Sequence, residues 1–275
     1  RMKRLLTRTI WALTKQLEAG DFVPVAYEMR FENGKIDRVD LCKDKDKVYV
    51  KVLDYKTGSK AFDVVALYHG LQLQLMVYMD AAVKMTQKHY PDSEVIPAGV
   101  FYYRLNDPLV EKKVVGEEEE IWQKVLKELK VDGVMNLKDE TLEHLDHCQV
   151  GESAVIPVKY NKNGSLSKNS KVASEQEFEV MMRHALGKVL KVHQKILSGE
   201  VAAFPYRRKQ ESGCDYCAYR HICGFDQKIP GYKYRDIFEM TQSEVIAAME
   251  ADAVKENVNR DDHEKEQEKG TGSWE

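Results

Sequence analysis

The sequence lacks several features that would place it in a broad class of proteins. No apolar run is long enough to cross a bilayer, so we expect no membrane segment. No phosphate loop of the form G-x-x-x-x-G-K-S/T is present, so we do not expect this chain to hydrolyse ATP by itself. Positive charge is not in excess, because 42 Lys and Arg residues stand against 45 Asp and Glu residues. A local basic groove could still bind nucleic acid, since a groove's potential does not follow the net charge.

Cysteine is scarce as well, and the 5 cysteines are unevenly placed. Cys42 and Cys148 are isolated, whereas Cys214, Cys217 and Cys223 lie close together. An odd number of cysteines with no recognisable secretory signal argues against a disulfide framework and predicts a reducing, cytoplasmic compartment. The start at arginine further indicates a piece of a longer chain.

The hydrophobic pattern predicts an α/β fold. Leucines at helical spacing begin the chain, and alternating apolar runs then predict a meander of three strands. A second helical pattern and a fourth apolar run follow. The predicted ranges are 3–18 for the first helix, 25–53 for the meander, 62–88 for the second helix and 95–104 for the last strand. Further on, residues 157–172 predict a polar, hairpin-like loop, and Ser174 with Glu177 predicts a capping box that opens a helix to about Leu197.

Polar residues cluster on the predicted strands. Asp54 and Lys56 end the third strand and point to the same face because they are two residues apart, whereas Tyr55 points to the other. Asp37 lies on the neighbouring strand and reaches the same edge if the hairpin has normal register, and Glu28 lies on the strand before that. Paired carboxylates are oxygen ligands for a hard divalent cation, and a nearby lysine can stabilise charge on a phosphodiester during hydrolysis.

The second predicted helix adds an amide and a phenol to this set. Gln74 and Tyr78 are about one turn apart and therefore share a face. Each feature has a simpler explanation on its own: a solvated strand end, an ion pair of Asp37 with Arg38, or an exposed position on a helix or edge strand. Their occurrence together and in this order favours a site for metal-dependent cleavage of phosphodiesters.

These residues resemble the PD-(D/E)XK nuclease superfamily, in its RecB-like branch, over roughly residues 5–225. The matching pattern is Glu28, Gly34-Lys-Ile-Asp37-Arg-Val-Asp40, Asp54-Tyr-Lys56-Thr-Gly58 and Gln74-x-x-x-Tyr78. The resemblance implies a restriction-endonuclease-like core and a deoxyribonuclease that uses Mg²⁺ or Mn²⁺. It implies metal ligands at Asp37, Asp54 and Glu28 and a catalytic lysine at Lys56. Gln74 and Tyr78 would support the site and contact DNA.

The late cysteines form the pattern Cys214-x2-Cys217-x5-Cys223. This spacing suits a soft metal or an iron–sulfur cluster, and zinc with His221 as a fourth ligand is the competing interpretation. With the basic stretch before it, the segment resembles the cluster segment of the B-type subunits of AddAB-type helicase–nucleases. The resemblance implies a [4Fe–4S] cluster whose fourth cysteine lies far upstream. Because neither Cys42 nor Cys148 matches that position, we expect the cluster to be incomplete in this chain.

The same resemblance implies a biological role and a division of the chain. It implies a metal-dependent DNA exonuclease domain that processes double-strand breaks for recombinational repair in the bacterial cytoplasm. Single-stranded DNA ends would be its substrate and an AddA helicase–nuclease subunit its partner. We predict a nuclease core over 1–110, a helical and loop extension over 111–205, a cysteine-cluster segment over 206–230, and a C-terminal helix with a charged, disordered tail over 231–275.

Several alternatives stay open. The chain could be a stand-alone RecB-like exonuclease of the CRISPR-associated type, or a DNA-binding scaffold without activity. Arg207, Arg208 and Lys209 could contact the DNA backbone or form a solvated basic turn. His144 and His147 are three residues apart on a segment that can be helical, without a carboxylate partner that the sequence can place.

Overall fold

The computed structural model describes residues 2–32, 34–58, 60–108 and 118–255, which form two compact units. The first unit comprises residues 1–63 and 72–182, and the second comprises residues 64–71 and 183–275. The charged tail, for which disorder is predicted, lies outside the described residues. Within the described ranges, no helix combines the length and the apolar character that a membrane span requires.

The described elements follow the predicted order at the start of the chain and add several elements beyond it. In chain order they are α1 (Met2–Glu18), β1 (Val23–Phe31), β2 (Gly34–Asp44), β3 (Lys47–Lys56), α2 (Val64–Tyr68), α3 (Gln74–His89), β4 (Glu94–Arg104), α4 (Glu118–Glu128), β5 (Asp132–Asn136), α5 (Asp139–Leu145), β6 (Val172–Ala173), α6 (Glu175–Leu197), β7 (Tyr206–Arg208), β8 (Glu211–Ser212), β9 (Arg235–Asp236) and α7 (242–255).

A six-stranded mixed sheet organises the first unit, and its strands lie in sequence order from β1 to β6. The strands β1, β2 and β3 form the predicted antiparallel meander. Strand β4 runs parallel to β3, as expected when a helical crossover joins two neighbouring strands. Strands β5 and β6 complete the sheet, so part of the segment predicted to be an extension belongs to the same sheet. The fold class predicted from the sequence is therefore confirmed, while the domain boundaries stay a prediction.

The two faces of this sheet pack against different helices. One face carries Tyr49, Leu53 and Phe101 into a core that also contains buried residues of α1, α4 and α5. Side-chain alternation turns Val50 and Val52 to the opposite face, where α3 packs on β3 and β4. The buried side of α3 consists mainly of Leu75, Met76, Met79 and Ala82. The second face therefore brings α3 beside the ends of β3 and β4.

The prediction of a single helix over residues 62–88 is wrong, because the chain forms two helices there, α2 and α3, with a break between them. Gly70 has a φ of 80°, in the left-handed region that glycine adopts easily. The N–H of Gly70 bonds to Leu67 O at 3.0 Å and the N–H of Leu71 bonds to Ala66 O at 2.8 Å. These two bonds form a Schellman motif, which ends α2 and satisfies its last carbonyls.

Two local predictions are confirmed in the first unit. Ser174 Oγ accepts a hydrogen bond from Glu177 N at 3.2 Å, and Glu177 Oε2 accepts one from Ser174 N at 2.7 Å. This reciprocal capping box opens α6 as expected. The polar loop over 157–172 is hairpin-like, with a bridge between Tyr160 and Leu166.

The second unit contains α2, the part of α6 from Arg183 onward, α7 and a small sheet in the order β8-β7-β9. The ring of His184 stacks on Tyr68 with 5.3 Å between ring centroids, and its Nε2 lies 2.9 Å from Tyr68 O. Arg235 Nη1 donates to His69 O at 3.3 Å. These contacts tie α2 to the other parts of this unit.

Candidate active site

The two predicted metal-binding aspartates face the same side of the sheet at one end of β2 and β3. Arg38 and Leu53 are paired across these strands, so Asp37 and Asp54 lie one residue beyond that pair and share the opposite face. Asp37 Oδ2 accepts a hydrogen bond from Tyr55 N at 2.9 Å. This bond holds the Asp37 carboxylate against the strand that carries Asp54. The strand pairing therefore brings the two carboxylates, which are 17 residues apart in the sequence, next to each other.

The electrostatic surroundings of Asp54 fit a bound cation. The residue is only 1% exposed, and its Oδ2 lies 2.5 Å from Lys56 Nζ in an ion pair. Burial raises the pKa of Asp54 above its ordinary value, the Lys56 ammonium partly opposes this, and the Asp37 carboxylate adds to it. Two neighbouring carboxylates, one of them buried, are a donor set suited to a hard divalent ion.

A chain of hydrogen bonds links the catalytic-lysine candidate to α3. Lys56 Nζ donates to Gln74 Oε1 at 2.9 Å, and Gln74 Nε2 donates to Tyr78 Oη at 2.7 Å. The Tyr78 ring packs edge-on against Phe31, with 5.7 Å between centroids. Helix α3 therefore fixes the lysine through two side chains one turn apart, and five of the six predicted site residues lie together.

Glu28 occupies a different environment from the other predicted site residues. Its side chain is 62% exposed and forms an ion pair with Lys35. Its backbone φ is 52°, which interrupts the regular alternation of side chains along β1. In the described parts of the chain, no hydrogen bond or ion pair joins Glu28 to Asp37 or Asp54. Its metal-binding role stays a prediction without a supporting contact.

Two residues of β4 that the sequence pattern did not single out lie beside the site. Tyr102 is paired with Asp54 across β3 and β4, and Arg104 is paired with Lys56, so both share the face of the carboxylates. Tyr102 is fully buried, and its hydroxyl has no hydrogen-bond partner among the described residues. The Arg104 Nε is buried and equally without a partner in the described ranges. The available signal was that Arg104 ends an apolar strand just as Lys56 does.

Arg38 and Asp40 of the Asp37-Arg-Val-Asp40 motif lie on the face of the sheet opposite to Asp37, where they form a buried charge cluster with Lys51. Arg38 donates to both oxygens of Asp40, at 2.6 and 2.8 Å, and Lys51 Nζ lies 2.9 Å from Asp40 Oδ2. All three residues are buried. This buried cluster fixes the strand backbone from which Asp37 projects.

The cysteine segment does not have the geometry of a single-ion site. Among the described residues, the three sulfurs of Cys214, Cys217 and Cys223 do not belong to any group of potential ligand atoms within 4.8 Å of one another. Cys217 and Cys223 are exposed, and none of the three cysteines forms a disulfide bond. An iron–sulfur cluster needs four ligands, and this segment supplies three thiols.

The basic residues before the cysteines are all in ion pairs. Arg207 contacts Asp236 at 2.7 Å, and Arg208 and Lys209 contact Glu239 at 3.0 and 3.2 Å. The Arg208 guanidinium and the Lys209 ammonium lower the pKa of Glu239 to about 2. A DNA phosphate would have to compete with these carboxylates, so the predicted DNA contact gains no support from the structure.

The fold and the paired carboxylates match one family of proteins. The family model of the PD-(D/E)XK nuclease superfamily matches residues 1–224, and the chain belongs to this superfamily.

The chain is also similar to several proteins that share one name. The chain is 39% identical over 262 residues to the B-type subunit of the ATP-dependent helicase/deoxyribonuclease of Lachnoclostridium phytofermentans, covering 89% of the chain and 22% of that protein. It is 34% identical over 280 residues to the protein of the same name from Alkaliphilus oremlandii, covering 94% of the chain and 24% of that protein. A third relative with this name, from a Thermoanaerobacter species, is 30% identical over 265 residues, covering 89% of the chain and 23% of that protein. The chain thus spans less than a quarter of the length of these relatives.

Proposed function

We propose that this chain is the metal-dependent DNA exonuclease domain of an AddAB-type helicase–nuclease. It would hydrolyse DNA phosphodiesters during the processing of double-strand breaks for recombinational repair. The observation that carries the proposal is the convergence of Asp37, Asp54 and Lys56 on one face at the end of β2 and β3. The relatives, all of them named as B-type subunits of a helicase/deoxyribonuclease, support this interpretation over a stand-alone exonuclease.

Asp37 and Asp54 are the residues that would hold a Mg²⁺ or Mn²⁺ ion. When bound, such an ion polarises the scissile phosphate and makes a bound water a better nucleophile. The structural support is the pair of neighbouring carboxylates as oxygen donors, together with the burial of Asp54, which is only 1% exposed. We keep Glu28 as an additional acidic ligand only as a prediction from the resemblance.

The chain's own residues would supply orientation and positive charge. Lys56, 2.5 Å from Asp54, would stabilise negative charge that develops on the phosphate and would orient the attacking water. Gln74 and Tyr78 would hold the Lys56 ammonium through their hydrogen bonds. Arg104, beside Lys56 on β4, would contact a phosphate oxygen of the DNA strand with its guanidinium.

The wider assignments follow from the relatives and from the resemblance. We propose single-stranded DNA ends as substrate, an AddA helicase–nuclease subunit as partner, and the bacterial cytoplasm as location. Cys214, Cys217 and Cys223 would contribute three ligands to a [4Fe–4S] cluster that a fourth cysteine elsewhere in a longer protein completes. Arg207, Arg208 and Lys209 would bind the DNA backbone only after release from their carboxylate partners.

Cleavage of end-labelled single-stranded DNA with Mg²⁺ or Mn²⁺ tests the proposal. We compare the wild type with Asp54→Asn, which keeps the shape of the side chain but removes its charge. The matched control is Asp92→Asn, at an exposed aspartate in the turn before β4. We expect metal-dependent cleavage by the wild type and the control and none by Asp54→Asn. Undiminished cleavage by a folded Asp54→Asn variant would reject the assigned site.

A further inference from the structure

A second cluster of side chains that could bind a metal ion lies where the turn after α1 meets β2 and α5 in the first unit. Asp21, in the turn between α1 and β1, contacts two histidines through its two carboxylate oxygens. Oδ2 lies 2.8 Å from His144 Nδ1, and Oδ1 lies 2.9 Å from His147 Nε2. The sequence places these histidines more than 120 residues from Asp21, at separations of 123 and 126. This is the carboxylate partner that the sequence alone could not identify.

Cys42 of β2 supplies a third type of donor atom to this cluster. One oxygen of Asp21, the Sγ of Cys42 and one ring nitrogen of His144 all lie within 4.8 Å of one another. A set of one oxygen, one nitrogen and one sulfur suits a borderline ion such as Zn²⁺ better than Mg²⁺, which prefers oxygen alone. Cys42 is buried, whereas Asp21 is exposed, so an ion could enter from the solvent side.

The electrostatic field at this position favours a cation. Asp44 Oδ2 lies 3.9 Å from the second nitrogen of His144. The carboxylates of Asp21 and Asp44, both beside His144, would attract a positive ion.

The backbone holds the donors in place before any ion binds. Asp21 N donates to His144 O at 2.8 Å, and His147 N donates to Ala19 O at 2.8 Å. A Cβ at Gly20 would lie 2.3 Å from His144 O, so only glycine allows this close approach. The His144 ring also packs against Tyr49, with 4.9 Å between centroids. Ligands that are held by such outer contacts need little rearrangement to bind a metal.

This cluster is separate from the proposed catalytic carboxylates. Cys42 and Asp37 both lie on β2 and are five residues apart, which corresponds to about 17 Å along a strand. Because five is an odd number, their side chains point to opposite faces of the sheet. An ion at Cys42 would therefore lie among the helices on the other face, away from Asp37 and Asp54.

We propose that Asp21, Cys42 and His144 bind a zinc-type transition-metal ion that joins the α1–β1 turn to β2 and α5. His147 is a positioning residue, because it holds the second oxygen of Asp21 and so orients the carboxylate. The ion is structural: it links three elements that are far apart in sequence, and it does not take part in phosphodiester cleavage.

Cobalt binding to the whole, metal-free chain tests this site, because a cobalt–thiolate bond gives a charge-transfer absorption band that oxygen and nitrogen ligands do not give. The triple variant Cys214→Ser, Cys217→Ser and Cys223→Ser removes the late cysteines as a source of the band. We expect this triple variant to retain a band that saturates at one equivalent of Co²⁺. Adding Cys42→Ser to it should abolish the band. A triple variant without a band, or a band that survives Cys42→Ser, would overturn the proposal.

Thermal unfolding with Zn²⁺ provides a second measurement that does not depend on substituting the buried cysteine. In the same triple-serine background, we expect one equivalent of Zn²⁺ to raise the unfolding midpoint by several degrees. Asp21→Asn, at an exposed position, should abolish this rise, whereas His193→Ala, at an exposed histidine of α6, should preserve it. An equal rise in the Asp21→Asn variant would overturn the assignment of Asp21.

Discussion

Replacing Asp40 with alanine should destabilise the first unit strongly, because it leaves two buried cations without their shared counter-ion. Arg38, Asp40 and Lys51 are 3%, 0% and 8% exposed. Asp40 binds Arg38 through two hydrogen bonds and Lys51 through an ion pair at 2.9 Å. Burial lowers the pKa of Lys51, and the Asp40 carboxylate opposes this shift.

The loss of unfolding free energy in Asp40→Ala depends on how deeply Arg38, Asp40 and Lys51 are buried. Removing one partner of a buried ion pair typically costs about 3–5 kcal/mol. A cavity of about 20 Å³ borders Arg38 and Lys51. It is large enough for one water molecule, which could solvate these two cations once their counter-ion is removed. We therefore expect Asp40→Ala to cost about 3 kcal/mol, at the lower end of that range.

Urea unfolding followed by tryptophan fluorescence measures this cost. Trp11 and Trp122 report on the first unit, since their rings lie 4.7 Å apart beside its core. Lys51→Met is the matched control, because it removes a charge but leaves the Arg38–Asp40 pair intact, and we expect it to cost less than about 1.5 kcal/mol. A cost below about 1 kcal/mol for Asp40→Ala, or a larger cost for Lys51→Met, would refute this reasoning.

Three further predictions concern the Lys56 ammonium, the N-cap of α6 and the close approach of Gly20 to His144 O. Lys56→Met should lower the single-turnover cleavage rate by about a hundredfold or more, since it removes the positive charge beside Asp54; a change below about threefold in quench-flow assays would contradict its role. Ser174→Ala should cost about 0.5–2 kcal/mol in urea unfolding, because it removes half of the capping box of α6, and no measurable cost would argue against that cap. Gly20→Ala should cost about 1–3 kcal/mol through its clash with His144 O, and an unchanged thermal midpoint would show that the turn adapts.

The sequence was sufficient to predict that Asp37, Asp54 and Lys56 lie close together, because their spacing obeys local rules. Asp54 and Lys56 are two residues apart on a strand, and Gln74 and Tyr78 are four apart on a helix, so each pair shares a face in any regular element. The meander then needed only normal register to bring Asp37 next to Asp54. The hydrogen bond of Lys56 to Gln74 is the contact that joins the two pairs.

The rest of the fold depended on signals that are weak or distant in the sequence. The break between α2 and α3 depends on the left-handed conformation of Gly70, while the apolar periodicity continues through it. Strand β5 is only five residues long, and it is identified by its pairing with β4 and β6. The contacts of Asp21 with His144 and His147 span more than 120 residues, so no local pattern predicts them. Glu28 matches the motif pattern while its side chain is 62% exposed, so its role as a metal ligand stays a prediction.

The most direct test of the account measures DNA cleavage and DNA affinity together in Asp37→Asn. The asparagine oxygen can still accept the hydrogen bond from Tyr55 N, so the strand geometry should persist while the carboxylate charge is lost. We predict that metal-dependent cleavage of single-stranded DNA disappears while the affinity for the same DNA, measured without metal, changes by less than about threefold. Equal loss of cleavage and affinity would contradict the account, and it would favour a module that binds DNA without cutting it.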